Sequence, residues 1–69
     1  MEQGTYKSIE LVGTSVESYA AATRGAIERA HQSMRQLRWF EVNEMRGLIK
    51  EDGSIEYQVR LEVWFALES

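Results

Sequence analysis

The stretch SIEYQVRLEVWFAL, residues 54–67, decides the fold. Apolar side chains occupy every second position from Ile55 to Leu67, and only a repeat of two residues places them all on one face. This pattern predicts one long β-strand with a single buried face. At about 3.3 Å per residue the stretch extends on the order of 45 Å, more than a chain of 69 residues covers by itself.

The composition suits one small domain, residues 1–69, that needs support from other copies. A chain this short buries only about 60% of the surface that it exposes when unfolded. The absence of Cys rules out disulfides, and a single His weakens the case for a metal site, so oligomerisation remains. We expect a cytoplasmic protein with no membrane segment. The net charge of -3 argues against a nucleic-acid partner, because phosphate binding needs clustered positive charge.

The segments before the long strand predict a fold of the α+β class, in the order β-α-β-β. Thr14 and Glu17 are spaced as a helix-capping pair, and Arg38 carries the positive charge that suits a helix C-terminus. The expected elements are strands at residues 5–12, 39–49 and 54–67 and a helix between Thr14 and Arg38. We expect a three-stranded antiparallel sheet wrapped on this one helix.

Asp52 and Gly53 predict a two-residue hairpin turn, since both of its positions need positive φ. Pairing Glu51 with Ser54 across this turn sets the register of the second and third strands. The predicted pairs are Phe40–Phe65, Val42–Val63, Leu48–Tyr57, Gly47–Gln58 and Trp39–Ala66.

This register places Glu44 and Arg46 on the helix side, among apolar residues. Either a bulge near Asn43 turns them to the other face, or the helix leaves that part of the hairpin uncovered. We favour incomplete cover, because strands this long must extend beyond a single helix.

The face away from the helix is expected to hold more apolar and aromatic surface than a small monomer leaves in water. The residues assigned to this face are Trp39, Met45, Ile49, Gln58 and Trp64. Two explanations remain open from the residues alone. The tryptophans lie in contacts between copies, where aromatic residues are enriched, or they form a stacking platform for a planar heteroaromatic ligand. In the second case the Gln58 amide supplies both a donor and an acceptor.

Several short motifs, taken in order, resemble those of the dodecin family. They are ELVGTS at residues 10–15, RWFEV at 38–42, EMRG at 44–47 and EYQV at 56–59, with Phe65 near the C-terminus. The resemblance covers nearly the whole chain. It implies a β-α-β-β protomer in a hollow homododecamer of 23 symmetry that binds flavins as stacked pairs near two-fold axes.

The resemblance also implies site residues. Trp39 is expected to stack on the flavin ring and Gln58 to contact it, while Arg46 lies near phosphate-bearing ligands such as FMN or coenzyme A. Glu44 is expected near the flavin. Because the predicted register separates Trp39 from Gln58 by about 26 Å, each pocket should combine two subunits.

Two positions depart from the family pattern. Trp64 stands where a small residue is usual, and Ala66 where a charged residue, often Arg, is common. Ala66 removes a partner for phosphate, which puts the choice between flavins in doubt. We interpret Trp64 as an interface residue in preference to a pocket residue, because the register displaces it from Trp39.

The expected function is therefore storage and buffering of flavin, FMN or riboflavin rather than FAD, with the tryptophans quenching its photochemistry. The alternative is a shell for a non-flavin ligand such as coenzyme A or an ion, in which the tryptophans serve assembly. An enzyme is poorly supported, since the sequence has no Cys nucleophile and no Gly-rich phosphate loop.

Overall fold

The structure, a computed structural model, describes residues 4–67 and confirms the order strand, helix, strand, strand. The elements are β1 (Tyr6–Ser15), α1 (Tyr19–Ser33), β2 (Leu37–Ile49) and β3 (Ile55–Ala66). The chain measures 56 × 21 × 14 Å along its principal axes. It is a long ribbon, as the alternation in the C-terminal stretch predicts.

The C-terminal strand β3 is the centre of the sheet. The strand order is β1-β3-β2, and β3 runs antiparallel to both neighbours. Its predicted buried face is confirmed in the centre, where Val59, Leu61 and Val63 are at most 2% exposed, whereas Ile55 and Leu67 at the two ends are 43% and 47% exposed. The helix packs mainly on β1 and β3, so most of β2 has no helix above it. No described helix is both long and apolar enough to cross a membrane.

Helix α1 begins later than predicted. Its N-cap is Ser18, whose hydroxyl oxygen accepts a hydrogen bond from the Ala21 N–H at 3.0 Å. The predicted cap, Thr14, lies instead in β1, and the Glu17 N–H donates to the Ser15 hydroxyl at 3.0 Å. The strand therefore continues through the residues that resemble a capping box.

The helix also ends earlier than predicted. Its last residue is Ser33, and the N–H of the C-cap Met34 donates to the Ala30 carbonyl. Gln36 has φ 65°, a left-handed conformation that interrupts a right-handed helix. The prediction that the helix reaches Arg38 was wrong, and that residue lies in β2.

The hairpin turn lies where Asp52 and Gly53 predict it, but it contains three residues instead of two. The Lys50 N–H donates to the Ser54 carbonyl, and the Gly53 N–H donates to the Lys50 carbonyl, each at 2.9 Å. Gly53 has φ 87°, which favours glycine. The predicted Glu51–Ser54 pair is therefore wrong, and the register of the hairpin moves by one residue.

A bulge moves the register by one more residue between Val42 and Glu44, where Asn43 is the extra residue. The observed pairs are Trp39–Trp64, Phe40–Val63, Val42–Leu61, Glu44–Arg60, Arg46–Gln58, Gly47–Tyr57 and Leu48–Glu56. All five predicted pairs were wrong. The longer turn places Glu44 and Arg46 opposite Arg60 and Gln58, on the face away from the helix, and the bulge keeps Phe40 and Val42 on the helix side. Incomplete cover, which we favoured, is not what resolves the position of Glu44 and Arg46.

The same shifts move two apolar residues to the helix side of the sheet. Met45 and Ile49 were expected on the opposite face, but their partners are Val59 and Ile55 of the apolar face. The exposed helix-side residues of β2, which we call the apolar strip, are Phe40, Val42, Met45 and Ile49. The helix does not cover this strip, and its four residues are 44–76% exposed.

Candidate ligand-binding site

Three aromatic side chains, one from each strand, meet at one end of the face away from α1. Trp39 of β2 and Trp64 of β3 are direct cross-strand partners. Their rings are stacked, with centroids 5.5 Å apart and planes inclined by 12°. Tyr6 of β1 meets the Trp39 ring edge-on, with centroids 5.0 Å apart and planes at 62°. We call these three residues the aromatic cluster.

The position of Trp64 corrects the sequence prediction. Trp39 was expected opposite Ala66, which displaced Trp64 along the sheet, whereas the bulge and the longer turn bring the two indoles together. Ala66 is paired with Tyr6 instead. Its methyl side chain leaves space above β3, across which the Tyr6 ring reaches Trp39.

The Trp39 ring is only partly covered. Trp64 stacks against one of its faces, Tyr6 contacts it in a T-shaped arrangement, and Trp39 as a whole remains 42% exposed. Trp64 is half-buried, and its Nε1 is buried without a hydrogen-bond partner among the described residues. The exposed part of Trp39 suits contact with a flat ring, since offset aromatic stacking gives about 0.5–1.5 kcal/mol beyond the burial itself.

A polar cluster lies further along the same face. The Nε of Arg46 donates to Oε1 of Gln58 at 2.6 Å, and Nε2 of Gln58 donates to Oε2 of Glu56 at 2.9 Å. These two bonds fix the orientation of the Gln58 amide. Its oxygen lies toward Arg46 and its nitrogen toward Glu56, so the amide presents a defined pattern of donor and acceptor.

Glu44 is bound within the protomer. Nη1 of Arg60 contacts Glu10 at 3.0 Å, and Nε of Arg60 contacts Glu44 at 3.3 Å. Hydrogen bonds to Glu10 and then to Glu44 raise the pKa of Arg60 above its already high ordinary value, so the guanidinium stays charged. The residues around this ion pair enclose a cavity of about 250 Å³, lined by Val12, Glu44, Arg46, Gln58 and Arg60.

The structure thus brings three of the four predicted site residues together, Glu44, Arg46 and Gln58, and leaves Trp39 apart from them. Trp64, the partner of Trp39, is six positions from Gln58 along β3, or about 20 Å. The predicted 26 Å was too long, because the register shifts shorten the separation. A flat three-ring ligand is still too short to contact both Trp39 and Gln58 of one protomer.

Sequence reasoning missed Tyr6, Glu10 and Glu56 as neighbours of the site. Their contacts can be identified only once the strand register is known, because the partner residues lie on other strands or depend on the direction of a side chain. Among the described residues no group of three or more His, Cys, Asp or Glu side chains is arranged to hold a metal ion.

Comparisons with known proteins agree with this geometry. The Dodecin family model matches residues 5–68. The chain is 57% identical over 63 residues to a dodecin of Thermus thermophilus, with 91% of each chain covered. It is 36% identical over 62 residues to a calcium dodecin of Mycobacterium tuberculosis, covering 90% of this chain and 87% of the relative.

Solved structures give the same result. The dodecin from Streptomyces davaonensis superimposes with a TM-score of 0.91 at 38% identity, covering 99% of this chain and 100% of that chain. A tryptophan-to-phenylalanine mutant of the T. thermophilus dodecin superimposes with a TM-score of 0.89 at 52% identity, covering 97% of this chain and 100% of that chain. With its sequence, strand order and helix all in agreement, the chain belongs to the dodecin family.

Proposed function

We propose that this protein stores flavins as stacked pairs, with a Trp39 indole on the outer side of each pair, inside a homododecamer of 23 symmetry. The observation that carries this proposal is the Trp39 ring, which is stacked on Trp64 and belongs to a residue that remains 42% exposed. A flavin stacked on the exposed part of Trp39 extends an existing aromatic cluster by one ring. Membership of the dodecin family supports the same class of ligand.

The surface of the protomer supports assembly. The apolar strip is open along most of β2, and contiguous apolar surface of this kind marks contacts with other chains. Since Trp39 and Gln58 are about 20 Å apart in one protomer, a flavin in contact with both is bound by two copies. The binding site is then complete only in the oligomer.

The polar cluster supplies the second part of the proposed site. Gln58 is held in one orientation by Arg46 and Glu56, which suits hydrogen bonding to the polar edge of a flavin. Arg46 gives positive charge for a phosphate, as in FMN or coenzyme A. Ala66 adds no second positive charge for a phosphate group. The affinities of the protein for riboflavin and for FMN therefore need to be measured side by side.

We propose storage without catalysis. A flavin enclosed between indoles leaves little room for a second substrate, and indole in contact with an excited flavin returns it to the ground state by rapid electron transfer. The stored flavin is then protected from light. Sustained turnover with a reduced nicotinamide would contradict this part of the proposal.

The proposal is tested by titrating riboflavin, FMN and FAD with ligand-free protein and following flavin fluorescence. We expect strong quenching by the wild type, and an affinity at least about tenfold lower for Trp39→Ala, because both a stacking contact and its burial are lost. Tyr57→Phe, which changes an aromatic residue packed against Tyr19 of α1, is the matched control and should bind like the wild type. A Trp39→Ala protein that quenches fully would refute the assignment.

A second candidate is a shell for a non-flavin ligand, with the tryptophans serving assembly. It is favoured by the M. tuberculosis relative, 36% identical, which is named a calcium dodecin. Since the described part of one chain has no cluster of three metal-ligating side chains, a calcium site would need groups from several copies. A colourless oligomer that does not bind riboflavin or FMN but is stabilised by calcium or coenzyme A would support this candidate.

A further inference from the structure

The proposed flavin site needs one indole for each flavin, yet the protomer holds two indoles in contact. The rings of Trp39 and Trp64 are nearly parallel, at 12°, with centroids 5.5 Å apart. At this spacing the π-systems of the two offset indole rings are in contact. If one ring loses an electron, the other is placed to share the positive charge, and the two rings then act as one donor.

The surroundings of the indoles favour a positive charge on the pair. Two residues beyond the tryptophans, a row of carboxylates crosses the sheet on the same face: Glu41 on β2, Glu62 on β3 and Glu10 on β1. Glu10 is paired with Arg60 at 3.0 Å, whereas Glu62 accepts hydrogen bonds from Ser8 at 2.9 Å and from Asn43 at 3.3 Å and so receives no cation from within the described chain. Negative charge at this distance stabilises a cation on the neighbouring rings.

The indole N–H of Trp64 is shielded within the described part of the protomer. Nε1 is buried and has no hydrogen-bond partner among the described residues. Oxidation makes an indole N–H strongly acidic, and an accessible indole then gives its proton to water or to a nearby base. A buried N–H without an acceptor retains the proton, so the oxidised ring can be restored by an electron alone.

We propose that Trp64 is the second half of the electron donor in the flavin site, an inference that rests on the proposed flavin binding. The excited flavin takes one electron from Trp39 and becomes a radical anion, and Trp39 becomes a radical cation. Trp64 then gives an electron to Trp39, which moves the positive charge one ring further from the flavin. The flavin radical anion returns its electron to the pair, and all three rings are restored. No bond forms or breaks, no proton moves, and no outside oxidant or reductant is needed.

The test is transient absorption of the flavin-loaded oligomer, comparing the wild type with Trp64→Phe. Phenylalanine keeps an aromatic ring behind Trp39 but is much harder to oxidise. We expect Trp64→Phe to bind and quench flavin but to recombine its charges severalfold faster. The control Tyr57→Phe, on the helix side of the sheet, should recombine at the wild-type rate.

Two measurements on the wild type alone decide the question if Trp64→Phe fails to assemble. A shared charge gives the near-infrared charge-resonance band of a stacked radical cation, and retention of the proton gives equal recombination rates in light and heavy water. A wild type without this band, or one that forms the neutral indole radical, would overturn the inference.

The two proposals fail in different ways. A wild type that binds no flavin overturns both. A wild type that binds and quenches flavin, with a recombination lifetime that Trp64→Phe leaves unchanged, overturns the role of Trp64 alone.

Discussion

Gly13 of β1 lies so close to α1 that a side chain has no space there. A Cβ at this position would collide with the backbone carbonyl oxygen of Ala22 and lie 2.9 Å from the Cβ of Ala26. Because the obstacle is backbone, the helix must move to admit a methyl group. We expect Gly13→Ala to lower the free energy of unfolding by about 1–3 kcal/mol, measured by urea unfolding at fixed protein concentration.

Gly25 of α1 gives the matched control. The same methyl group at Gly25 has no described atom within 4 Å, and glycine inside a helix costs about 0.5–1 kcal/mol relative to alanine. We therefore expect Gly25→Ala to raise stability by about that amount. A loss of stability or a smaller particle would show that the backbone of another copy packs against this part of the helix.

The sequence predicted single site residues from two sources. Trp39 and Gln58 followed from the aromatic face and again from the resemblance, whereas Arg46 and Glu44 followed from the resemblance alone, and the contact of all four with flavin stays a prediction. The Trp39–Trp64 stack could not be predicted, because one indole lies on each strand of the hairpin and a shift of one or two residues separates them. The buried N–H of Trp64 depends in turn on that contact.

At the scale of the elements, the hairpin turn gives a prediction about pH. Oδ1 of Asp52 accepts hydrogen bonds from the Ser54 hydroxyl at 2.7 Å and from the Ser54 N–H at 2.9 Å. The side-chain bond first, then the backbone bond, lowers the pKa of Asp52 below its ordinary value of 3.8. The resulting stabilisation is complete above the ordinary value and is lost as pH falls through the lower folded-state value.

We therefore expect the stability advantage of the wild type over Asp52→Asn to shrink as the pH is lowered from about 5 toward about 1, followed by urea unfolding at each pH. The control Glu51→Gln removes a neighbouring turn charge and leaves these hydrogen bonds in place. An advantage over Asp52→Asn that stays constant across this range would show that the Asp52 bonds do not stabilise the fold.

The elements themselves were largely predictable, and their register was not. Alternation gave all three strands, and Asp52-Gly53 gave the turn, but this pair of residues suits both a two-residue turn and a three-residue loop with glycine in a left-handed conformation. The bulge at Asn43 left one signal in the sequence. The predicted register placed Glu44 and Arg46 on the same apolar face as Phe40 and Val42. An extra residue between the two pairs, at Asn43, puts them on opposite faces.

The elongated shape of the protomer and its exposed apolar surface both indicate that other copies cover part of the sheet. A ribbon 56 Å long with one 15-residue helix cannot cover both edges of its sheet, and β2 is the edge left open. The sequence predicted this need for other copies from the length of its alternating stretch. It assigned much of the exposed apolar surface to the wrong face, because the three-residue turn shifts Met45 and Ile49 to the helix side.

A charge placed on the apolar strip tests whether ligand binding depends on assembly as well as on the ligand-contacting residues. Val42 of the apolar strip is 44% exposed on the helix side of β2, away from the aromatic and polar clusters. If another copy covers this strip, Val42→Lys buries an unpaired ammonium group at every contact, which costs several kcal/mol per site. Sedimentation should show a smaller species, and flavin binding should be lost although Trp39 and Gln58 are intact.

Gln32→Lys, at an exposed position of α1, is the matched control. It adds the same charge and should leave the size of the particle and its flavin binding unchanged. A dissociated Val42→Lys protein that binds flavin as tightly as the wild type would contradict a site shared between copies, since one protomer would then supply every contact that the ligand needs.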